Sequence, residues 1–327
     1  MLLSIIIISY NTQELTLACL QSVLQALKTD NKLQNSTEII VVDNHSHDGS
    51  SKAIEKLLTN QPVKHLFLQN QQNLGFAQAN NQAIKKAQGQ YLLLLNSDTL
   101  VKKTALTTLI NTFKDHPLQD TTANLDYQQG KLDRLGILTP LLLNPDQSVQ
   151  PQGGNLPNLI SLFFHMTLLD DLPIIGQFLP STQHTGKNIN KITPDQADLI
   201  QKDWIGGTAM MIRKLVVAEI GPLDPNIFMY GEDMEFCLRA KKHHWDIALC
   251  PQAQVVHYGS GSSSNHQAVL GEFKGFVYIW SKHRPAWELP WAKKLLKLGA
   301  KLRQFLFGTI LNNQEKARLY QQVLSHV

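Results

Sequence analysis

Several acids in this chain stand where apolar runs end, the position from which a carboxylate can do chemistry. Tyr91-Leu92-Leu93-Leu94-Leu95 is followed by Asn96-Ser97-Asp98-Thr99. In mostly parallel sheets ligands gather just past the carboxyl ends of strands, so Asp98 is presented where a cation and a phosphate could meet. Asp43 closes another run, ahead of Asn44-His45-Ser46-His47-Asp48-Gly49-Ser50. It can accept from a base ring N–H or a ribose hydroxyl, and Tyr10, in Ser9-Tyr10-Asn11, offers a face on which a base can stack. Glu232, Asp233 and Glu235 crowd three acids into one turn, with Arg239 four residues beyond Glu235. Like charges this close raise a carboxyl pKa, which suits a proton acceptor. His257 ends a later apolar run and could serve a metal. Each feature also has a plain structural use: turns and helix caps at Asn96–Thr99 and Asp48–Ser50, an ion-paired surface helix at 232–239, a structural histidine.

Two further segments look made for a ligand. Asn73-Leu74-Gly75-Phe76 opens a helix, where Gly75 permits close approach of backbone to ligand and a free N-terminus attracts phosphate. Asn80 and Asn81 are poor interior helix residues, so one of them is expected to meet the ligand. Gly206 and Gly207 leave room for something bulky beside Trp204.

The elements that must position these residues alternate in type. Strands are expected at 2–9, 38–43, 63–68 and 91–95, and helices at 14–28, 50–58 and 76–87, with Gly89 as a left-handed cap. This βαβαβαβ order implies a parallel sheet with right-handed crossovers. From about 115 to 202 Pro, Gly, Gln and Asn recur and, apart from a strand at 136–143, no clear period emerges, so long loops and short helices around a site are expected. Order returns with a strand at 208–212, a helix at 232–242 and a strand at 254–257. Residues 291–311 place Trp291, Leu295, Leu298, Leu302 and Phe305 at helical spacing among lysines. Such a basic amphipathic helix can lie on an anionic membrane, pack on the domain, or form a dimer contact.

Composition bounds the rest. A chain of 327 residues with 43% hydrophobic residues can bury a sizeable core. A formal charge of +4 suits anionic substrates or a membrane surface and argues little for nucleic acid. Cys19, Cys237 and Cys250 show no metal spacing, which points to a reducing, cytoplasmic setting. No signal peptide and no transmembrane segment are expected.

Taken in order, Ser9-Tyr10-Asn11, Val42-Asp43-Asn44, Asn73-Leu74-Gly75-Phe76, Leu95-Asn96-Ser97-Asp98, Trp204-Ile205-Gly206-Gly207, Met229-Tyr230-Gly231-Glu232-Asp233 with Arg239, and His257 resemble the family 2 glycosyltransferases, in their rhamnosyltransferase-like branch that builds bacterial polysaccharides. The resemblance implies an α/β, GT-A (nucleotide-diphospho-sugar transferase) fold with a Rossmann-like, mostly parallel central sheet and flanking helices. The domain would span 1–262, with a nucleotide-sugar half at 1–115 and an acceptor and catalytic half at 116–262. Residues 263–327 would form a C-terminal amphipathic helical extension. It further implies inverting transfer from a dTDP- or UDP-sugar, dTDP-rhamnose in this branch, to a glycan or lipid-linked acceptor in cell-surface polysaccharide synthesis. The setting would be cytoplasmic, with 291–311 as a candidate contact at the inner face of the plasma membrane and no nucleic-acid partner.

By position, Asp43, Ser9, Tyr10 and Asn11 would hold the base. Asn73, Gly75, Phe76 and Asn81 would lie along the nucleotide and sugar. Asn96, Ser97 and Asp98 would face the diphosphate, with Asp98 and His257 as ligands of Mn²⁺ or Mg²⁺. Asp233 would be the catalytic base with Glu232 beside it, and Trp204, Gly206, Gly207 and Arg239 would form the acceptor side. Asn96 departs from the strict Asp-x-Asp pattern and removes one negative charge. The alternative is a catalytically idle sugar-nucleotide or glycan-binding module. A dinucleotide oxidoreductase is set aside, because the first turn, Ser9 to Glu14, lacks Gly-x-Gly-x-x-Gly.

Overall fold

Continuous runs of Ile, Val and Leu can be satisfied as strands only where both faces are covered, and they form the centre of the sheet. The computed structural model describes residues 1–118, 132–172, 174, 176–183, 192–193, 196–259 and 265–327. Strands β1 (Leu3–Ser9), β2 (Thr37–Asp43), β3 (Lys64–Gln69) and β4 (Tyr91–Asn96) pair in parallel, in the order β3-β2-β1-β4. Helices α1 (Gln13–Leu27), α2 (Asn31–Asn35), α3 (Ser50–Thr59) and α4 (Gly75–Lys86) make the connections.

The second half adds β5 (Thr99–Val101), α5 (Ala105–Asp115), β6 (Leu135–Leu143), α6 (Leu159–Thr167), β7 (Ile200–Lys202), β8 (Ala209–Arg213), α7 (Lys214–Ile220), α8 (Glu232–Lys242) and β9 (Asp246–His257). Among the described residues the sheet has nine strands, continuing from β4 through antiparallel β8 to β6, β9 and β5, with β7 beside β9. The chain closes with α9 (Asn265–His283), α10 (Glu288–Phe305) and α11 (Gln314–His326).

Several expectations need correction. The plain structural use allowed for Asn96–Thr99, a helix cap, does not hold: Thr99–Val101 is a strand on β9, and α5 begins at Ala105. Gly89 is not left-handed; α4 ends on extended Ala87, and a Cβ at Gly89 would stand 2.5 Å from the Ser4 amide nitrogen. The stretch expected to hold long loops and short helices does contain a short helix, α6, capped by Asn158 in a capping box with Ser161. Residues 119–131, 184–191 and 194–195 of that stretch lie outside the described residues. So do residues 260–264 and with them the expected boundary at 262.

Alternate residues of one strand feed two cores. Leu3, Ile5 and Ile7 of β1 meet α1, α3 and α5, whereas Ile6 faces a core shared with α4, α6, α8, α9 and α10. Phe276 and Trp280 of α9 and Leu296 of α10 belong to that second core. The C-terminal helices are therefore stitched into the domain rather than appended to it.

Candidate active site

Register brings the distant polar residues together. Thr99 of β5 stands opposite His257 of β9, and the His257 Nε2 lies 3.3 Å from the Asp98 Oδ1. The other ring nitrogen, Nδ1, is 2.7 Å from the Gln150 side-chain oxygen. A ring N–H donated to Gln150 leaves Nε2 as the lone-pair nitrogen, the tautomer a metal ligand requires. Nearby, the Asn96 side-chain oxygen is buried and has no partner among the described residues. Among those residues no three His, Cys, Asp or Glu side chains cluster as a metal site. Two side chains plus a neutral carbonyl fit a hard cation that completes its shell with phosphate oxygens and water.

Beside this pair opens a cleft of about 160 Å³, lined by Ile8, Tyr10, Asn44, Asn73, Phe76, Asn96, Ser97, Gly206, Gly207, Thr208, Met229, Tyr230, Glu232 and Asp233. Its carboxylate wall is built by a strained entry into α8: Tyr230 has φ 69° and Gly231 φ 101°, the left-handed region. Gly271 and Gly275 of α9 press on that turn, where a Cβ would meet Tyr230 at 2.7 and 2.6 Å. Asp233 Oδ2 accepts the Gly207 N–H at 2.9 Å and Oδ1 accepts the Met234 N–H at 2.7 Å. Burial holds the Asp233 carboxyl above the usual carboxylate range. Glu232 is also pushed up, by burial and then by the neighbouring Asp233 charge, and its Oε2 has no partner among the described residues. Gly206 and Gly207 keep the space before Asp233 open, since a Cβ on Gly207 would stand 3.3 Å from the Phe76 ring.

Asp43 is fully buried; its Oδ2 accepts the Ser46 N–H at 3.2 Å while Oδ1 has no partner among the described residues. An orphaned carboxylate oxygen fits a ligand donor. Ser9 is buried against Thr16 and does not face the cleft. Asn11 receives the His47 N–H and donates its own N–H to Ser46, so it ties two loops together.

Four expectations change. Gly75, at φ 80°, makes room for the Phe228 backbone rather than a ligand, with a Cβ only 2.4 Å from the Phe228 carbonyl oxygen. The α4 N-terminus is not free: the amides of Leu74, Gly75 and Phe76 donate to Asn44, Asn73 and Phe228. Asn81 is committed to both backbone groups of Leu223, and Asn80 to the Phe76 carbonyl. Arg239 and Glu235 point away from the cleft, where Arg239 donates to Glu235 and to the carbonyls of Ile220 and Pro222.

A second cavity of about 250 Å³ shares Tyr230 and Asp233 with the cleft and is otherwise lined by Gln183, Trp204, Gly231, Met234, Ala268, Val269, Glu272, Phe276 and Ile279. Trp204 is anchored there by its ring N–H on the Thr182 carbonyl at 2.8 Å. Glu272 accepts from Gln183 at 2.8 Å, and burial lifts its carboxyl to about 7. Sequence reasoning missed Asn44, Gln150, Tyr230 and Glu272. Asn44 and Tyr230 stood inside quoted motifs, while Gln150 and Glu272 carried no local signal.

A family model described as glycosyl transferase family 2 matches residues 4–165. The chain is 26% identical over 161 residues to N-acetylglucosaminyl-diphospho-decaprenol L-rhamnosyltransferase of Mycobacterium tuberculosis, covering 48% of this chain and 49% of that protein. It thus spans about half the length of that relative. It is 24% identical over 264 residues to low-salt glycan biosynthesis hexosyltransferase Agl10 of Haloferax volcanii, covering 78% and 66%. Among solved structures, GalNAc-T7 with UDP, GalNAc and Mn²⁺ aligns over 98% of this chain and 54% of its own at TM-score 0.61 and 14% identity. Mannosyltransferase PcManGT from Pyrobaculum calidifontis, with GDP-Man and Mn²⁺, aligns over 99% and 86% at TM-score 0.51 and 14% identity. At such identities the likeness is one of fold.

Proposed function

This chain belongs to glycosyltransferase family 2, matched over residues 4–165, and has the GT-A fold; from that we propose an inverting, cation-assisted transfer of a sugar from a pyrimidine nucleotide-diphosphate donor to a glycan or lipid-linked acceptor. The observation that carries the reading is Asp233 in the shared wall of two cavities, one reaching Tyr10, Asn96 and Ser97, the other Trp204 and Glu272. The similarity to a rhamnosyltransferase whose name specifies a diphospho-decaprenol acceptor supports dTDP-rhamnose as donor and a lipid-linked acceptor. The reading sets transfer in the cytoplasm at the inner face of the plasma membrane.

In this reading the unpartnered Asp43 oxygen accepts from the base and Tyr10 stacks on it. Asp98 and His257 would hold Mn²⁺ or Mg²⁺, which when bound neutralises charge on the departing diphosphate. An imidazole in the set favours Mn²⁺. Asp233, oriented by the Gly207 and Met234 amides, takes the proton of the acceptor hydroxyl as that oxygen bonds to the anomeric carbon. The bond from that carbon to the diphosphate breaks on the opposite face, so the configuration inverts. Help of this kind is worth about 10²–10⁴-fold.

Asp233→Asn is expected to lower transfer at least about 10²-fold while leaving the Kd for dTDP or UDP unchanged. Unchanged turnover removes Asp233 from the role. A mass-spectrometric donor screen with Mn²⁺ and lipid-linked acceptors tests the rest: a dTDP-rhamnose signal supports the donor, and a preference for UDP-hexoses overturns it. Nucleotide binding without transfer to any acceptor would favour the idle binding module.

A further inference from the structure

Helix α10 divides its surface into three sectors. Ala292, Leu296, Gly299 and Ala300 are buried, and a Cβ on Gly299 would stand 2.6 Å from the Met166 sulfur. Arg303 donates to the carbonyls of Met166 and His165, so this sector is fixed to α6. The second sector is apolar yet faces solvent: Trp287 is 64% exposed, Trp291 55%, Leu298 40%, Leu302 37% and Phe305 58%. At 100° per residue these five fall within one stripe. Ile310 and Leu311 prolong the exposed apolar surface past the helix end. The third sector holds Lys294, Lys297 and Lys301, all exposed on one flank of the stripe, with the Lys294 Nζ 4.4 Å from the Trp291 ring centroid.

An apolar stripe of this extent left in water marks a surface awaiting a partner. Charge decides which one. The single acid of α10, Glu288, is buried and accepts from Trp280 and Arg284, so the outward face offers cations with no acid among them. A second copy of the same face would bring like charges together, whereas an anionic headgroup layer answers them. Tryptophans and lysines beside leucine and phenylalanine also match the chemistry of that boundary. No helix among the described residues is long and apolar enough to cross a membrane.

We propose that the exposed face of α10 seats in the headgroup region of an anionic bilayer, with Leu298, Leu302 and Phe305 at the acyl margin and Lys294, Lys297 and Lys301 on lipid phosphates. This goes beyond the transfer reaction and holds whichever sugar is moved. The test is co-sedimentation of the full chain with vesicles of phosphatidylcholine alone or of phosphatidylcholine mixed equally with phosphatidylglycerol, with tryptophan emission recorded alongside. Binding to the mixed vesicles, weakened by salt and accompanied by a blue shift, is expected. Changing all three lysines to Gln should cost about a hundredfold in affinity for mixed vesicles, at about fivefold per lysine. The pair Trp291→Ser and Leu298→Ser should abolish the blue shift, with far-UV dichroism and UDP binding unchanged. Absence of wild-type binding, or equal binding by wild type and both variants, overturns the proposal. So does a wild-type dimer that Trp291→Ser with Leu298→Ser dissociates, which would make a second copy the occupant.

Discussion

Asp233 can act as a base only while ionised, and burial makes that state costly, so its acid limb should be displaced. Its carboxyl is raised by burial, and the base form exists above that raised value. The rate should therefore fall on acidification at a pH above the usual carboxylate midpoint of about 4. Two interacting acids titrate as a pair, so Glu232→Gln should leave a single acid step in kcat/KM against pH where the wild type shows a broadened one. Gln150 acts on the Asp98–His257 pair: it accepts from the His257 ring and presents Nε2 toward Asp98. Gln150→Leu should weaken Mn²⁺ binding in the presence of UDP by about 10–100-fold, read by calorimetry, with UDP affinity in the absence of metal unchanged. An unaltered Mn²⁺ affinity would mean that Gln150 does not orient the ring.

Helices α8 and α9 are clamped together by Glu235. This buried carboxylate accepts from Arg239, Lys282 and His283, and those partners hold its pKa below the ordinary value against burial. Glu235→Ala strands the cations and should cost about 3–5 kcal/mol in urea unfolding. Because Glu235 faces away from the cleft, the folded variant should retain its nucleotide affinity. The legibility of such elements varied for physical reasons. β1, β2 and β4 could be read directly, since a strand covered on both faces must be apolar throughout. α6 could not, because Leu159–Thr167 is apolar on nearly every side and shows no helical period. β5, of three residues, is defined by its partner strand alone. Of the residues the proposed function uses, Asp98, Asp233 and His257 stand out in the sequence as polar residues closing apolar runs or opening a helix. Asn81 and Arg239 misled because the same groups that bind ligands also satisfy backbone, here that of Leu223 and Ile220. Gln150 acts on a partner 107 residues away and leaves no local trace.

Across the whole molecule, two titrating groups, the buried His165 and the half-buried Glu272, pull stability in opposite directions with pH. Burial holds His165 at about 3 against 6.5 when unfolded, so its contribution is present above 6.5 and is lost as pH falls toward 3. Glu272 is held at about 7 against 4.5, so its contribution is present below 4.5 and is lost as pH rises through 7. Relative to wild type, Glu272→Gln should gain stability steadily between pH 4.5 and 7 and then level off, as followed by thermal melts across that range. A difference that does not vary with pH would show that Glu272 titrates normally. The rung that sets Thr99 against His257 also constrains how a chain with the proposed activity can diversify. If the proposed roles hold, exchanging the distal segment between relatives would import a new acceptor side along with the histidine assigned to the cation. Crossover points that separate β5 from β9 should therefore yield chimaeras that bind nucleotide yet turn over nothing, unless the incoming strand restores an imidazole at that one rung.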